Sequence, residues 1–224
     1  MMRRLLLLLA LGPAISFAQE TNFIGASVRT RPEFDGSPER KIDIIPNLRF
    51  YDGPWLARTT QGMLEAGARV QLGAFHAGAQ VAYEQGPRDG DPGASVGAHL
   101  EWDGALGPMP VDALLRVRQH LDSDHGAQVD LRSNAGFYKG HGFTAGGYVQ
   151  ATWGNEKYFE SYYGVRDSGL VFTSLGLWGG YDLTERWLLV ANLEGRRLTD
   201  EAIKSPFVSR RTGTYAYTGI AYRF

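Results

Sequence analysis

The stretch "QHLDSDHG" holds the densest set of chemistry-bearing side chains in the chain. His120, Asp122, Ser123, Asp124 and His125 follow one another closely there. Imidazole, hydroxyl and carboxylate are the parts of a nucleophilic triad, and His with Asp can also ligate a divalent cation. Both chemistries need more than nearness in sequence. A triad works through the mutual orientation of its members, which neighbours on one loop seldom achieve. A metal site needs further hydrogen bonds that aim its ligands. The expectation is therefore a solvated polar loop. Gly93-Ala94-Ser95-Val96-Gly97 matches the bare G-x-S-x-G pattern, but it opens the strand expected at 94–103 rather than a strand-to-helix turn, which leaves a hydrolase without the context that motif needs. "GPRDGDPG" (Gly86 to Gly93) has the Asp and Gly of a calcium loop but neither its spacing nor its later Glu, and reads as a turn cluster. No catalytic, cofactor or metal-binding residue is assigned.

A larger set of charges is distributed rather than clustered: Arg49, Glu65, Arg69, His76, Glu84, His99, Glu101, Asp112, Arg116, Arg118, Asp130, Arg132, Glu194 and Arg196. What unites them is position within an alternation. In "IDIIPNLRFYD" one face carries Ile42, Ile44, Pro46, Leu48 and Phe50, and the other carries Asp43, Ile45, Asn47, Arg49 and Tyr51. "VDALLRVRQ", "AQVDLRSNAGF" and "FHAGAQVAYE" alternate in the same way. A period of two marks strands with two unlike faces. No long stretch shows a capped helical period. The pattern predicts about twelve strands, with ten as the alternative count. They fall at 22–30, 42–52, 54–60, 63–72, 75–84, 94–103, 109–119, 127–138, 141–152, 169–181, 185–196 and 211–224.

The connections alternate too. Gaps at 31–41, 85–93, 120–126, 153–168 and 197–210 are long, whereas Gly53, 73–74, 104–108, 139–140 and 182–184 are short; 61–62 is the exception. Long loops at one end and tight turns at the other are the pattern of an outer-membrane barrel. An even strand count puts both termini at the short-turn end, the periplasmic one. A soluble β-sandwich also alternates. Against it stand the strand lengths, suited to a tilted crossing, and the aromatics at strand ends: Phe50, Trp55, Tyr83, Trp102, Phe137, Trp153, Trp187, Tyr222 and Phe224. These resemble interfacial girdles. The fold expected is all-β, a single antiparallel up-and-down transmembrane barrel.

The ends agree with an envelope protein. Arg3 and Arg4 precede an apolar run at 5–11, then Gly12, Pro13 and the small-x-small site Ser16-Phe17-Ala18. This predicts a signal peptide over 1–18, cleaved between Ala18 and Gln19, and a barrel domain over 19–224. Its apolar run is shorter than the ~20 residues of a spanning helix. Removing Arg3 and Arg4 takes the formal net charge from −1 to −3, which gives no reason to expect nucleic acid. There is no Cys, which excludes disulfides and a lipid-anchored cysteine. The 29 Gly, 11 Tyr, 11 Phe and 5 Trp suit sheets, turns and membrane interfaces. At the other end, Tyr217, Gly219, Tyr222 and Phe224 resemble the C-terminal signal that outer-membrane barrels present to their insertion machinery.

Three further stretches resemble the MipA/OmpV family, the MltA-interacting proteins. "RPEFDGS" with "IIP" resembles that family's first hairpin, through Pro32, Phe34, Gly36 and Ser37. "YYGV" resembles its Y-F-G-V loop motif, through Tyr162, Tyr163, Gly164 and Val165, with Tyr163 in place of Phe. "RLTDEAIKSPFV" resembles a third motif that includes Ser205 and Pro206, with Phe207 a variant. The resemblance implies a Gram-negative outer-membrane barrel surrounded by lipid. It also implies a scaffold partnered by a lytic transglycosylase and a murein synthase. The inward charges, of both signs, are expected to pair with one another; a narrow channel for small solutes is the alternative and a hydrolase the third. Tyr158, Phe159, Tyr162, Tyr163 and Phe207 are expected to fold over the barrel mouth, bringing loops 153–168 and 197–210 into contact, rather than to form an outward patch.

Overall fold

The computed structural model describes residues 22–84 and 93–224. Ala18, Gln19 and most of the Gly86–Gly93 turn cluster lie outside the described residues. Twelve strands run in chain order: β1 (Phe23–Pro32), β2 (Arg40–Asp52), β3 (Trp55–Thr60), β4 (Met63–Leu72), β5 (Phe75–Glu84), β6 (Gly93–Leu106), β7 (Met109–His120), β8 (Ala127–Gly140), β9 (Phe143–Gly154), β10 (Gly169–Asp182), β11 (Trp187–Leu198) and β12 (Thr212–Arg223). Each pairs antiparallel with its sequence neighbours, and β12 closes on β1 through Phe23↔Arg223 to Thr30↔Ala216. Closure leaves no outermost strand in the ring, which is what makes a sheet tenable in lipid.

The faces sort as the alternation requires. On β2, Ile42 and Ile44 point outward while Ile45 and Asn47 are buried inside. Across the ring the outward set is Val28, Val70, Val81, Val117, Leu131, Val149, Leu175, Leu193 and Ile220, all exposed. An apolar exterior around a charged interior is a sandwich turned inside out, so the sandwich is excluded. At the short-turn end, Trp55, Phe75, Phe143, Tyr181, Trp187 and Phe224 form an outward aromatic girdle. Phe224 stacks with Phe50 at 6.5 Å and Trp187 meets Tyr222 edge-on at 5.2 Å.

Tight turns at 53–54, 73–74, 107–108 and 141–142 mark one end of the ring, together with the described termini. The opposite end carries the longer connections, and one element there escapes a period-two reading. Helix α1 (Glu156–Tyr163) follows β9, with Asn155 as N-cap and Gly164 as a left-handed C-cap. The exception at the long-loop end is the β3–β4 turn. Gln61 and Gly62 both have positive φ, at 54° and 85°, the geometry of a two-residue hairpin whose twist matches its strands. Gly62 also lacks room for a side chain, since an added Cβ would sit against the Arg29 guanidinium.

Candidate functional site

The barrel interior is the candidate site. Inward residues of neighbouring strands carry opposite charges, so the lumen fills with ion pairs. Their centre is Glu65 on β4, 0% exposed. Its Oε1 accepts from Arg116 Nη1 at 2.5 Å and Gln80 Nε2 at 2.9 Å, and its Oε2 from Arg58 Nε at 2.8 Å and Thr60 Oγ1 at 3.2 Å. Arg116 also donates to Asp130 from Nε at 3.0 Å and Nη2 at 2.8 Å, and Thr152 Oγ1 donates to the other Asp130 oxygen at 2.8 Å. Arg118 reaches Glu84 at 3.3 Å and Asp130 at 3.4 Å. Arg58 bonds Glu101, which also faces Arg69 at 3.4 Å. Strands β3 to β9 are thus cross-linked through charge-assisted bonds, which are the strong ones.

A second chain of bonds crosses the opening. Gln61, at the tip of the β3–β4 hairpin, donates to Glu194 on β11 at 2.9 Å, four strands away round the ring. Its carbonyl accepts from Arg29 at 3.3 Å. Arg29 and Arg31 share Asp43 at 2.7 and 3.0 Å, and Glu194 also accepts from Tyr148 Oη at 2.9 Å and Arg196 at 3.1 Å. The hairpin tip therefore leans into the lumen. Two cavities result. One, about 150 Å³, lies under the long loops. The other, about 360 Å³, opens among the turn-end residues. Thr60 and Gln61 line both, so the tip sits between them.

Helix α1 caps the loop end. Asn155 Oδ1 accepts from the amides of Tyr158 and Ala127, each at 3.0 Å, which fixes the helix start to β8. The period of 3.6 then turns Tyr158, Phe159, Tyr162 and Tyr163 to one side, buried against Val171, Phe172, Leu198 and Ala202. Val165, Ile203 and Val208 pack on the same cluster, and Lys204 Nζ meets Asp167 at 3.0 Å. Loops 155–168 and 199–211 therefore touch across the mouth. Burial pushes the phenols of Tyr158, Tyr162 and Tyr163 well up.

The family-resembling residues converge at this end. Pro32 closes β1, Phe34 lines the smaller cavity, and Ser37 Oγ accepts from the Glu39 amide at 3.1 Å. Gly36 has φ +96°, and its carbonyl accepts from the amides of Ser209 and Arg210, both at 2.9 Å. A Cβ there would lie 2.7 Å from Val208, and one on Gly164 would lie 2.7 Å from Phe207. Ser205 Oγ accepts from the Phe207 amide at 3.2 Å, beside an exposed Pro206. Of the terminal set, Tyr217 lines the larger cavity, Gly219 packs against Ala26 and Ser27, and Tyr222 and Phe224 belong to the girdle.

The "QHLDSDHG" stretch divides. His120 ends β7 and points inward, 2% exposed, with Nε2 3.4 Å from Tyr162 Oη and 3.5 Å from Glu84. It is not part of a solvated loop. Asp122 instead accepts from the Asp124 amide at 3.0 Å and faces His125 at 3.4 Å, capping a 3-10 turn. Among the described residues no group of three or more His, Cys, Asp or Glu could hold a metal ion. The charged set drawn from the sequence also left out Asp35, Arg58, Arg29, Arg31 and Asp43, all of them ion-paired inside the barrel.

A closed ring of twelve antiparallel strands, apolar outside and charged inside, defines an outer-membrane β-barrel. The chain belongs to the MltA-interacting protein MipA family, whose model matches residues 24–224. Two solved structures share the fold. The NanC porin is 9% identical, with a TM-score of 0.57 over 90% of this chain and 100% of that one. The COG4313 outer membrane channel from Pseudomonas putida F1 is 12% identical, with a TM-score of 0.58 over 91% and 96%. No curated protein matches the sequence.

Proposed function

We propose that this barrel is a non-catalytic, non-conducting outer-membrane scaffold for murein-remodelling enzymes, with both termini in the periplasm. The observation that carries the reading is the filled lumen: the Glu65-centred pairs, the inward hairpin tip and the α1 cap occupy the path a solute would take. A scaffold tolerates such filling, whereas a pore needs a continuous wet path. The family's description as MltA-interacting supports a murein enzyme as partner. In this orientation the three family-resembling stretches lie on the cell surface and build the cap. The partner then reads the turn end.

Two measurements test the reading together. The purified barrel in planar bilayers is expected to show no unitary conductance. A photo-cross-linker in the 183–186 turn is expected to capture a lytic transglycosylase, and one at Arg210 is not. A conducting barrel that captures no murein enzyme from either position overturns it. A narrow channel is the second reading. It is favoured by the two cavities, which are separated by side chains and one hairpin tip rather than by a plug domain.

A further inference from the structure

The arginines of the lumen are not equally committed. Arg58, Arg69, Arg116, Arg118 and Arg196 each have a carboxylate within ion-pair distance. Arg49 and Arg132, which line the larger cavity, have none among the described residues. Arg132 donates from Nε to Asn134 Oδ1 at 3.0 Å, and its guanidinium lies 3.7 Å over the Tyr148 ring. Those two contacts hold the group flat and leave its terminal nitrogens without a protein partner. Arg49 has only the Tyr51 ring, at 5.7 Å.

The acids that line this cavity are already engaged. Glu101 is shared by Arg58 and Arg69, Asp103 lies 3.1 Å from His76, and Asp112 accepts from Asn134 at 2.6 Å. None of these acids makes an ion pair with Arg49 or Arg132. The two lie on β2 and β8, six strands apart and so on facing sides of the twelve-strand ring. Between them Tyr217 and Trp178 offer flat apolar faces, and Asn192 offers an amide. A space of about 360 Å³ falls in the range of small-molecule sites.

We infer that this turn-end vestibule is a binding site for a small organic carboxylate of about monosaccharide size. The carboxylate is held by the free nitrogens of Arg132 and Arg49, and the body of the ligand lies against the aromatic wall. The site is entered from the end that carries the termini and stops at the Gln61 tip, so it needs no open pore and stands whether or not the barrel is a scaffold.

The test uses the full barrel refolded in detergent and titrated calorimetrically with glucuronate, with glucose as the uncharged match. Glucuronate is expected to bind and glucose not, and the affinity is expected to fall as sodium chloride rises, because the attraction is partly screened. Arg132→Gln and Arg49→Gln are each expected to weaken glucuronate about tenfold or more, the worth of a lost charge-assisted bond. Arg132→Lys keeps the charge but not the fork, and is expected to recover part of the loss. Unheated gel migration checks that each variant is folded; should one not fold, the comparison of glucuronate with glucose and the salt series on the unaltered barrel still decide. Glucuronate binding no tighter than glucose, or binding indifferent to salt and to every folded variant, overturns the site.

Discussion

Replacing Glu65 by Gln should cost the barrel about 3 kcal/mol, through the loss of a charge rather than of volume. The side chain keeps its shape. One carboxylate oxygen becomes an amide nitrogen, and that nitrogen must face either the Arg116 and Gln80 donors or the Arg58 and Thr60 donors. Either choice sets donor against donor at one guanidinium, since the Thr60 hydroxyl and the Gln80 amide can each turn an acceptor to the new nitrogen. Breaking a buried pair from one side costs about 3–5 kcal/mol, because the other charge is left in place. Here neither cation is fully stranded: Arg58 keeps Glu101 and Arg116 keeps Asp130. The lower end of the range follows. Lost bonds to charged groups at about 1.5–3 kcal/mol each point to the same size. The urea midpoint of the refolded barrel, followed by tryptophan fluorescence at unchanged slope, reads the difference. Glu160→Gln is the control, because its partner Arg166 is exposed at 3.2 Å and such pairs contribute little. If the two variants shift the midpoint equally, the lumen is solvated at Glu65 and the cross-linked interior is wrong.

Three further outcomes follow from single contacts. Phe224→Ala removes a girdle aromatic that stacks on Phe50, and should lower the outer-membrane level of the protein far more than Arg166→Lys does; equal levels on membrane fractionation refute that role. Gly36→Ala forces a side chain into a φ of +96° and onto Val208, which should loosen the cap by about 1–3 kcal/mol and speed proteolysis within 199–211 while the heat-modifiable gel shift persists. The Asp167–Lys204 tether should depend on acidity: the hydrogen bond from Lys204 holds the Asp167 carboxyl below its ordinary value of 3.8. Its contribution is therefore complete above that value and is lost as pH falls through the lowered one. The difference in amide exchange at 164–168 between the unaltered protein and Asp167→Asn should vanish in that acidic window, and a difference that persists there refutes the tether.

The strands were legible because lipid makes the period of two almost obligatory. An outward Glu is costly at this depth, so the faces of 42–52 could be read from Ile42 and Asp43 onward even though Ile45 lies on the inner face. Partners across the lumen were not legible. Alternation says that Arg116 and Glu65 point inward, but not that they meet, since that depends on closure and stagger of the ring. Arg58 lies in a strand of six residues, too few alternations to separate its faces. Asp35 enters from a loop, which has no period. Helix α1 is two turns long and adds little to a periodicity count, yet Asn155 before it and Gly164 after it are the ordinary start and stop signals. The cluster at 120–125 misled by its composition: His120 belongs to the strand by parity, and parity outranks the polar neighbours that follow it.

The family-resembling stretches have local structural reasons for their residue types. Gly36 needs a positive φ beside Val208, Gly164 ends a helix against Phe207, Ser205 closes a turn, and Tyr162 and Tyr163 fill the cap. These are demands of building a lid, and a lid is required whether or not anything binds outside it. Residues so occupied are poorly placed to specify a partner. The turn end is the reverse. Its connections are two to four residues long and rich in glycine, so they impose little beyond the hairpin geometry of 53–54 and 141–142. The same end holds the lumen charges that the protein leaves unpaired, Arg49 and Arg132. The family motifs are occupied in building the cap, and the two lumen arginines without an ion pair line the cavity at the opposite mouth. On the proposals made above, recognition by this barrel falls at the turn end, where a ligand or partner would supply a carboxylate to Arg49 and Arg132.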